Sequence, residues 1–314
     1  MTDPLAFAAR HGRTILILGL VVGIALPALA VAMKPWIGEL VVVMLFVSAL
    51  RVGPRAAFGA ARDLRAAVGL TLILQVAAQV VAILVVGLIG WTGALATGLI
   101  LMLAAPPISG SPNLTILTGN DPAPALRQLV VGTALLGLTV IPVFWLAPGL
   151  GGAGDVIAAA SRLMLVIICA TGAGFALRAL WFRDPAPPGI RRVDGLSAII
   201  MAVMVIALMS AVGPAIRSQP GPLAAALLAV FAGNFGLQIL IVLALRGRAP
   251  EGVIAPIGIV AGNRNIALFL VALPASVTDP LLLFIGCYQI PMYLTPVLLA
   301  RLHRPPGPRA KSRR

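Results

Sequence analysis

Long apolar stretches separated by short polar ones run the length of this chain. Ten are long enough to cross a bilayer as helices: 14–33, 36–53, 65–89, 94–118, 126–147, 156–179, 193–213, 221–245, 252–274 and 279–301. Two of them are interrupted. In the ninth, Ala255 to Leu273 reads APIGIVAGNRNIALFLVAL, with Gly262, Asn263, Arg264 and Asn265 at its centre. A charge at that depth costs a few kcal/mol. Irregular backbone is tolerated there only where it lines a cavity or is buried in protein. In the fourth, Ala105 to Asn113 reads APPISGSPN, again with proline, small residues and asparagine at the middle of an apolar segment. Gly110-x-x-Asn113 repeats as Gly262-x-x-Asn265 after 152 positions, almost half of the 314-residue chain. Interrupted segments in corresponding halves point to a transporter's binding site.

Composition places the whole chain in the membrane. Sixty per cent of residues are hydrophobic, ten per cent are charged, and the mean hydropathy is +1.07. The connections are short, so no separate soluble domain is expected. The net charge of +14 does not point to nucleic acid, because the basic residues punctuate apolar segments and form no single face. With the N-terminus inside, 19 of the 23 lysines and arginines fall in inside regions, against only Lys34, Arg162 and Arg217 outside. Arg264 alone lies within the membrane. That bias supports ten spans in an inner, cell membrane with both termini cytoplasmic. Five spans per half put the halves in opposite orientations. The expected fold is therefore an all-α polytopic membrane protein: two inverted five-helix repeats, 14–147 and 156–301, with discontinuous helices 4 and 9 crossing near the midplane. The basic tail, 302–314, reads as disordered. The first apolar run is too long for a signal peptide. Pro27 reads as a kink and Pro54 as a loop residue.

The polar residues within these segments are few. Asn113, Asn263, Arg264 and Asn265 either line a central site or tie broken backbone together. Ser109, Ser111 and Thr115 either face a ligand or bond locally to backbone. Gln75 and Gln79 in span 3, and Asn234 and Gln238 in span 8, lie one turn apart in matching places. Tyr288 and Gln289 form a further pair in span 10. All nine carboxylates fall in loops or near span ends, so no span centre offers the charged oxygen that sodium or a proton relay uses. Cys169 and Cys287 have no metal spacing and read as packing residues. No nucleotide-binding loop, nucleophile–base pair or metal cluster is present in the sequence. No enzyme activity, cofactor or metal is expected.

Ten spans in inverted halves with a crossing pair at spans 4 and 9 resemble the bile acid:sodium symporter family. The resemblance is strongest over Leu95 to Pro142, including Pro106 to Asn113 and Gly119-Asn120, and over Gly258 to Leu268. It implies a core of spans 3, 4, 5, 8, 9 and 10, a panel of spans 1, 2, 6 and 7, and a substrate cleft between them. Family members move bile acids or smaller organic anions, driven by sodium. The family's span 4 asparagine falls on Asn113. Its span 9 motif, Glu-x-Gly-x-Gln-Asn, falls on Val260, Gly262, Arg264 and Asn265. The glutamate is thus a valine and the glutamine an arginine. Pro112 stands where the family has serine, and Gln75 falls near its span 3 glutamine. Val260, Gly262, Arg264, Gln75 and Pro112 read as the remnant of an ion site. Asn113, Asn263, Arg264, Asn265, Ser109, Ser111, Thr115, Tyr288 and Gln289 are the candidate substrate residues.

The expected function is transport of a small organic anion across the lipid bilayer by alternating access. No sodium partner is expected, with Arg264 in its place, and no nucleic acid. The rival readings are a non-transporting receptor or scaffold on the same fold, and an efflux carrier for an arsenite-like metalloid. Cysteine-accessibility labelling in cells tests the topology. A cysteine at position 187 is expected to label from inside and one at 151 from outside; the reverse pattern overturns ten spans.

Overall fold

The computed structural model describes residues 3–60, 64–146, 153–183 and 186–305. Position 151 and most of the expected tail, 306–314, lie outside the described residues. Among the described residues the chain is helical, with no strand. Helix α1 (Pro4–Arg10) is capped by Asp3, whose carboxylate accepts from the Leu5 and Ala6 amides and pairs with Arg192 at 2.5 Å. The Arg192 hydrogen bond holds the Asp3 carboxyl below its ordinary range. Helix α2 (Gly12–Ala25) turns away from α1 by 85°. Leu26 breaks the path before Pro27, which opens α3 (Pro27–Met33). Helix α4 (Ile37–Ala60) breaks at Gly53, where φ is 74°, a value that suits glycine.

The remaining elements are α5 (Leu64–Leu88), α6 (Ala94–Ala104), α7 (Ser111–Leu117), α8 (Ala123–Ala134), α9 (Leu136–Trp145), α10 (Ala153–Trp181), α11 (Pro187–Leu208) and α12 (Val212–Ser218). They end with α13 (Pro220–Leu245), α14 (Glu251–Gly262), α15 (Phe269–Ala272) and α16 (Ala275–Leu298). A π-turn at Leu72–Ala77 interrupts α5. Among the described residues six helical stretches are long and apolar enough to cross a membrane, or eight if the bent pairs α1–α2 and α8–α9 each count once. Helices α6 and α14 are apolar but short. They belong to the two segments that the sequence marks as interrupted, and the interruption is what limits their length.

Two details differ from the sequence reading. The expected first span, 14–33, divides at Leu26, and its last part runs on towards α4, in a stretch Pro27–Ala57. Pro54 sits inside a helix beside the Gly53 break, not in a loop.

The distribution of side chains is that of a multi-pass membrane protein. Leu84, Leu88, Leu165, Leu228 and Leu240 are exposed on outer faces, while Gln75, Gln79, Asn234, Gln238, Asn263 and Arg264 are buried inside. A bilayer accepts the first set and excludes the second. With lipid as apolar as leucine, helices associate by close packing at small residues. Helix α4 lies along α10 at Gly174, where a Cβ would fall 2.5 Å from the Phe46 carbonyl oxygen. Helix α2 meets α11 through Gly19 and Gly23, against Ala202 and Met209. Helix α1 lies across α11 with the Asp3–Arg192 pair at its start.

Neighbouring glycines on α10 give a controlled test. Gly172 faces open space. Gly174→Ala is expected to lower the melting temperature of the detergent-solubilised protein, by about 1–3 kcal/mol of overpacking against backbone. Gly172→Ala is expected to be neutral or stabilising by up to about 1 kcal/mol, from helix propensity alone. Equal effects would show that α4 and α10 do not meet at Gly174.

Candidate functional site

The two interrupted segments meet. After α6 the backbone is extended through Pro106, Pro107 and Ile108; after α14 it is extended through Asn263 and Arg264. The Ile108 amide donates to the Asn263 carbonyl at 2.9 Å, and the Asn265 amide donates to the Pro106 carbonyl at 2.8 Å. Pro107 and Arg264 stand opposite one another in this antiparallel exchange. The exchange is symmetric under a shift of 157 positions (264 − 107). The shift of 152 that matches the Gly-x-x-Asn motifs therefore does not describe the pairing, and Asn113 and Asn265 hold different places in it.

Arg264 closes the crossing. Its side chain is buried, 2% exposed. Nε donates to the Ala261 carbonyl at 2.7 Å, Nη1 to the Ala105 carbonyl at 3.0 Å and Nη2 to the Leu74 carbonyl at 3.3 Å. Ala261 lies in the last turn of α14, and Ala105 caps the C-terminal end of α6. Leu74 lies in the π-turn of α5, where the ladder is locally rearranged. Two helix C-termini, each carrying roughly half a negative charge, thus converge on one guanidinium. No carboxylate pairs with Arg264 among the described residues; its counter-charge is peptide dipoles.

A buried network carries this arrangement outward. Tyr288 on α16 accepts from the Arg264 amide at 2.9 Å and donates to the Gly262 carbonyl. Asn234 on α13 donates to the same carbonyl at 2.7 Å, and to Asn263 Oδ1 at 3.3 Å. A Cβ at Gly262 would fall 2.2 Å from the Asn234 carbonyl oxygen, so only glycine admits this approach. Gln238 donates to Asn234 Oδ1 at 2.6 Å and to Thr295 at 3.0 Å. His303 Nε2 lies 2.8 Å from Gln238 Oε1, and the His303 carbonyl accepts from Asn120 at 2.8 Å. Because the Gln238 amide donates twice, its oxygen accepts, and His303 carries its proton on Nε2. The disorder expected from residue 302 thus does not hold at His303, which is fully buried.

The remaining sequence candidates divide. Ser111 donates to the Ile108 carbonyl at 2.7 Å and Thr115 to the Ser111 carbonyl at 2.9 Å, so both bond locally. Asn263 donates to the Ile259 carbonyl at 2.8 Å and serves the network. Gln289 donates to the Ile285 carbonyl at 3.1 Å. Val260 packs in an apolar cluster with Ala125 and Ile257. Pro112 is buried in the first turn of α7. Gln75 donates weakly to the Gly132 carbonyl at 3.5 Å, and Gln79 to the Thr139 carbonyl at 2.7 Å. Cys287 is buried, as a packing residue would be, whereas Cys169 is exposed.

Beside the crossing lies a cavity of about 530 Å³. Its walls come from α1, α2, the segment 108–117, α11 and α16. Asn113 is the candidate that reaches it; Arg264 and Asn263 do not line it. Its charged wall is Arg10, Arg13, Arg191 and Asp194. Asp194 is paired with Arg51, which also donates to Asn113 Oδ1 at 3.3 Å. The cavity is therefore electropositive, beside an apolar face that includes Leu16, Ile108, Leu114, Met201 and Met292. A smaller cavity of about 130 Å³, lined by Ser48, Val52, Ser109 and Thr133, touches the same break at Ser109. In the sequence, Arg10, Arg13 and Arg191 stand out only as topology signals. The available signal was Arg51 and Asp194, which both fall inside the limits drawn for spans 2 and 7.

No family model matches the chain, and no curated protein matches it. The class that the fold defines is a multi-pass helical membrane protein with a basic internal cavity.

His303 makes the docked end of the chain pH-sensitive. Burial holds its imidazole down at about 4, below the unfolded value near 6.5. A histidine that stays neutral when folded stabilises fully above its unfolded pKa, and that stability is lost as pH falls from about 6.5 towards 4, by up to about 3 kcal/mol. Thermal denaturation across this window is expected to show the loss. His303→Gln, which keeps a donor, is expected to remove this component; an identical slope in both proteins would show that His303 is not buried.

Proposed function

We propose that the protein is a secondary transporter of a small organic anion, working by alternating access in a cell membrane. In this reading ten spans form two inverted halves, helices α6 and α14 are the outer and inner parts of broken spans, and both termini are cytoplasmic. The arrangement is that of the bile acid:sodium symporter family, which the sequence resembles. The single observation that carries the reading is the cavity beside the crossing, with Arg10, Arg13 and Arg191 on its wall against one carboxylate already held by Arg51. A cavity of about 530 Å³ suits a small organic molecule. Its charge suits an anion.

We further propose that transport is independent of sodium. The family's glutamate position is Val260, packed against Ala125 and Ile257. The convergent carbonyls of Ala105 and Ala261 face the Arg264 guanidinium. A cation entering beside that fixed charge would meet repulsion of several kcal/mol at low dielectric. Arg264 acts on the crossing in this reading, and the cavity arginines act on the anion.

Uptake of labelled carboxylates into proteoliposomes tests both proposals. Replacing sodium by choline is expected to leave the rate unchanged, whereas uptake rising steeply with a sodium gradient refutes sodium independence. Arg191→Gln is expected to raise the half-saturation concentration roughly tenfold, the loss of one partly screened charge contact. Arg264→Ala is expected to abolish uptake by opening a buried set of unpaired carbonyls. Uptake of no solute at all would favour a receptor or scaffold. Metalloid export lost in Cys169→Ser or Cys287→Ser would favour the efflux carrier for an arsenite-like metalloid, with a cysteine thiolate as its ligand.

A further inference from the structure

We propose that Arg51 is a movable latch across the anion cleft: the anion takes Arg51 from Asn113, and that release frees the segment after the first break to move. The inference rests on the transporter reading. Arg51 belongs to α4, and its Nε donates to Asp194 on α11. Helices α4 and α11 pack along each other, so this ion pair lies within one block of the protein. The second contact is different. Nη2 donates to Asn113 Oδ1 at 3.3 Å, and Asn113 sits on α7, directly after the crossing. Asn113 belongs to the segment that must shift relative to α4 and α11 if the two broken segments move together.

Arg51 lines neither cavity itself, but it stands between residues of both. Asn113 and Asp194, its two partners, line the cavity of about 530 Å³. Ser48, Ala49 and Val52, on its own turn of α4, line the cavity of about 130 Å³, together with Ser109. Ile108 and Gly110 face the larger space and Ser109 the smaller one. The 108–110 backbone thus separates the two spaces, and the Arg51 contacts to Asn113 and Asp194 lie on the larger one.

The chemistry of the Asn113 contact suits a latch. A neutral amide oxygen 3.3 Å away is a weak acceptor for a guanidinium. A carboxylate presents two charged oxygens at the spacing of the guanidinium fork and holds it more tightly. Arg10, Arg13 and Arg191 draw such an anion into the cavity, while Asn113 occupies the place that one of its oxygens would take. The Arg51–Asp194 pair is itself partly exposed, with side chains 29% and 27% accessible, so it does not fix Arg51 against a competing anion. The ligand class is a carboxylate able to accept a forked pair of hydrogen bonds.

The test reads the partition directly. In a Cys169→Ser, Cys287→Ser background, Ser109→Cys places a thiol on the small cavity. Its labelling by a neutral maleimide is followed with and without benzoate and succinate as probe anions. Labelling is expected to be slow without anion and roughly fivefold faster when one of the probes is present, the shift that breaking a weak, partly exposed contact supports. Arg51→Gln is expected to label fast in both conditions. Asn113→Ala removes the latch from its other side and gives the same result, so the test stands if Arg51→Gln does not fold. Asn113→Asp, which offers Arg51 a second carboxylate, is expected to label slowly in both conditions. Labelling that is the same in Arg51→Gln, Asn113→Ala and the parent overturns the latch. So does fast labelling in Asn113→Asp. An anion effect on labelling without uptake of any carboxylate would leave the latch standing and overturn the transporter reading instead.

Discussion

The structure depends on a positive charge placed where two helices end against each other. Helices α6 and α14 both stop inside the protein, and their terminal carbonyls have no further turn to bond. In water such carbonyls would be hydrated. In a bilayer interior each unsatisfied group costs several kcal/mol. The backbone exchange between Pro106–Ile108 and Asn263–Asn265 satisfies part of the demand. The Arg264 guanidinium satisfies another part, and its charge opposes the two helix dipoles. A neutral donor would fill the hydrogen bonds and leave the dipoles unopposed.

Several departures from regular structure follow from seating that group. The π-turn in α5 presents the Leu74 carbonyl to Nη2, which ties a third helix to the crossing. Gly262 lets α14 approach α13 until Asn234 bonds its carbonyl. Tyr288 holds the Arg264 amide and the Gly262 carbonyl with one hydroxyl, as acceptor for the first and donor to the second. These groups hold one another in place, since each has few alternatives once the others are set. A buried polar network of this kind rigidifies when it is complete and is costly when one member is lost.

Much of this was legible in the sequence, for a simple reason. In an apolar background every polar residue is conspicuous, and Asn234, Gln238, Asn263, Arg264 and Tyr288 all belong to the network. The breaks were legible because Pro106, Pro107 and Gly262 disturb helices in a known direction. The pairing register was not. Short motifs align by residue type, whereas the exchange is set by backbone bonds, and here the two differ by five positions (157 − 152). The cavity wall was also hidden, because Arg10, Arg13 and Arg191 near the ends of apolar segments look the same whether they mark topology or face a cleft. His303 was hidden by its surroundings: a basic, proline-rich tail gives no sign that one imidazole reaches a glutamine on α13.

Covalent attachment separates this crossing from one completed by a free ion. A bound sodium ion opposes the same dipoles but leaves when its concentration falls, so occupancy, and with it the state of the crossing, follows a gradient. A guanidinium on the chain is present at every concentration of every ion. Its charge also persists across the physiological pH range. A crossing completed in this way cannot report an ion gradient. In the transporter reading, whatever drives movement must then act elsewhere. The cavity offers the place: its arginines are accessible, its carboxylate is already paired, and Arg51 joins α4 to the segment that follows the first break. In that reading the fixed cation keeps the crossing intact through the cycle, and the variable charge is that of the anion.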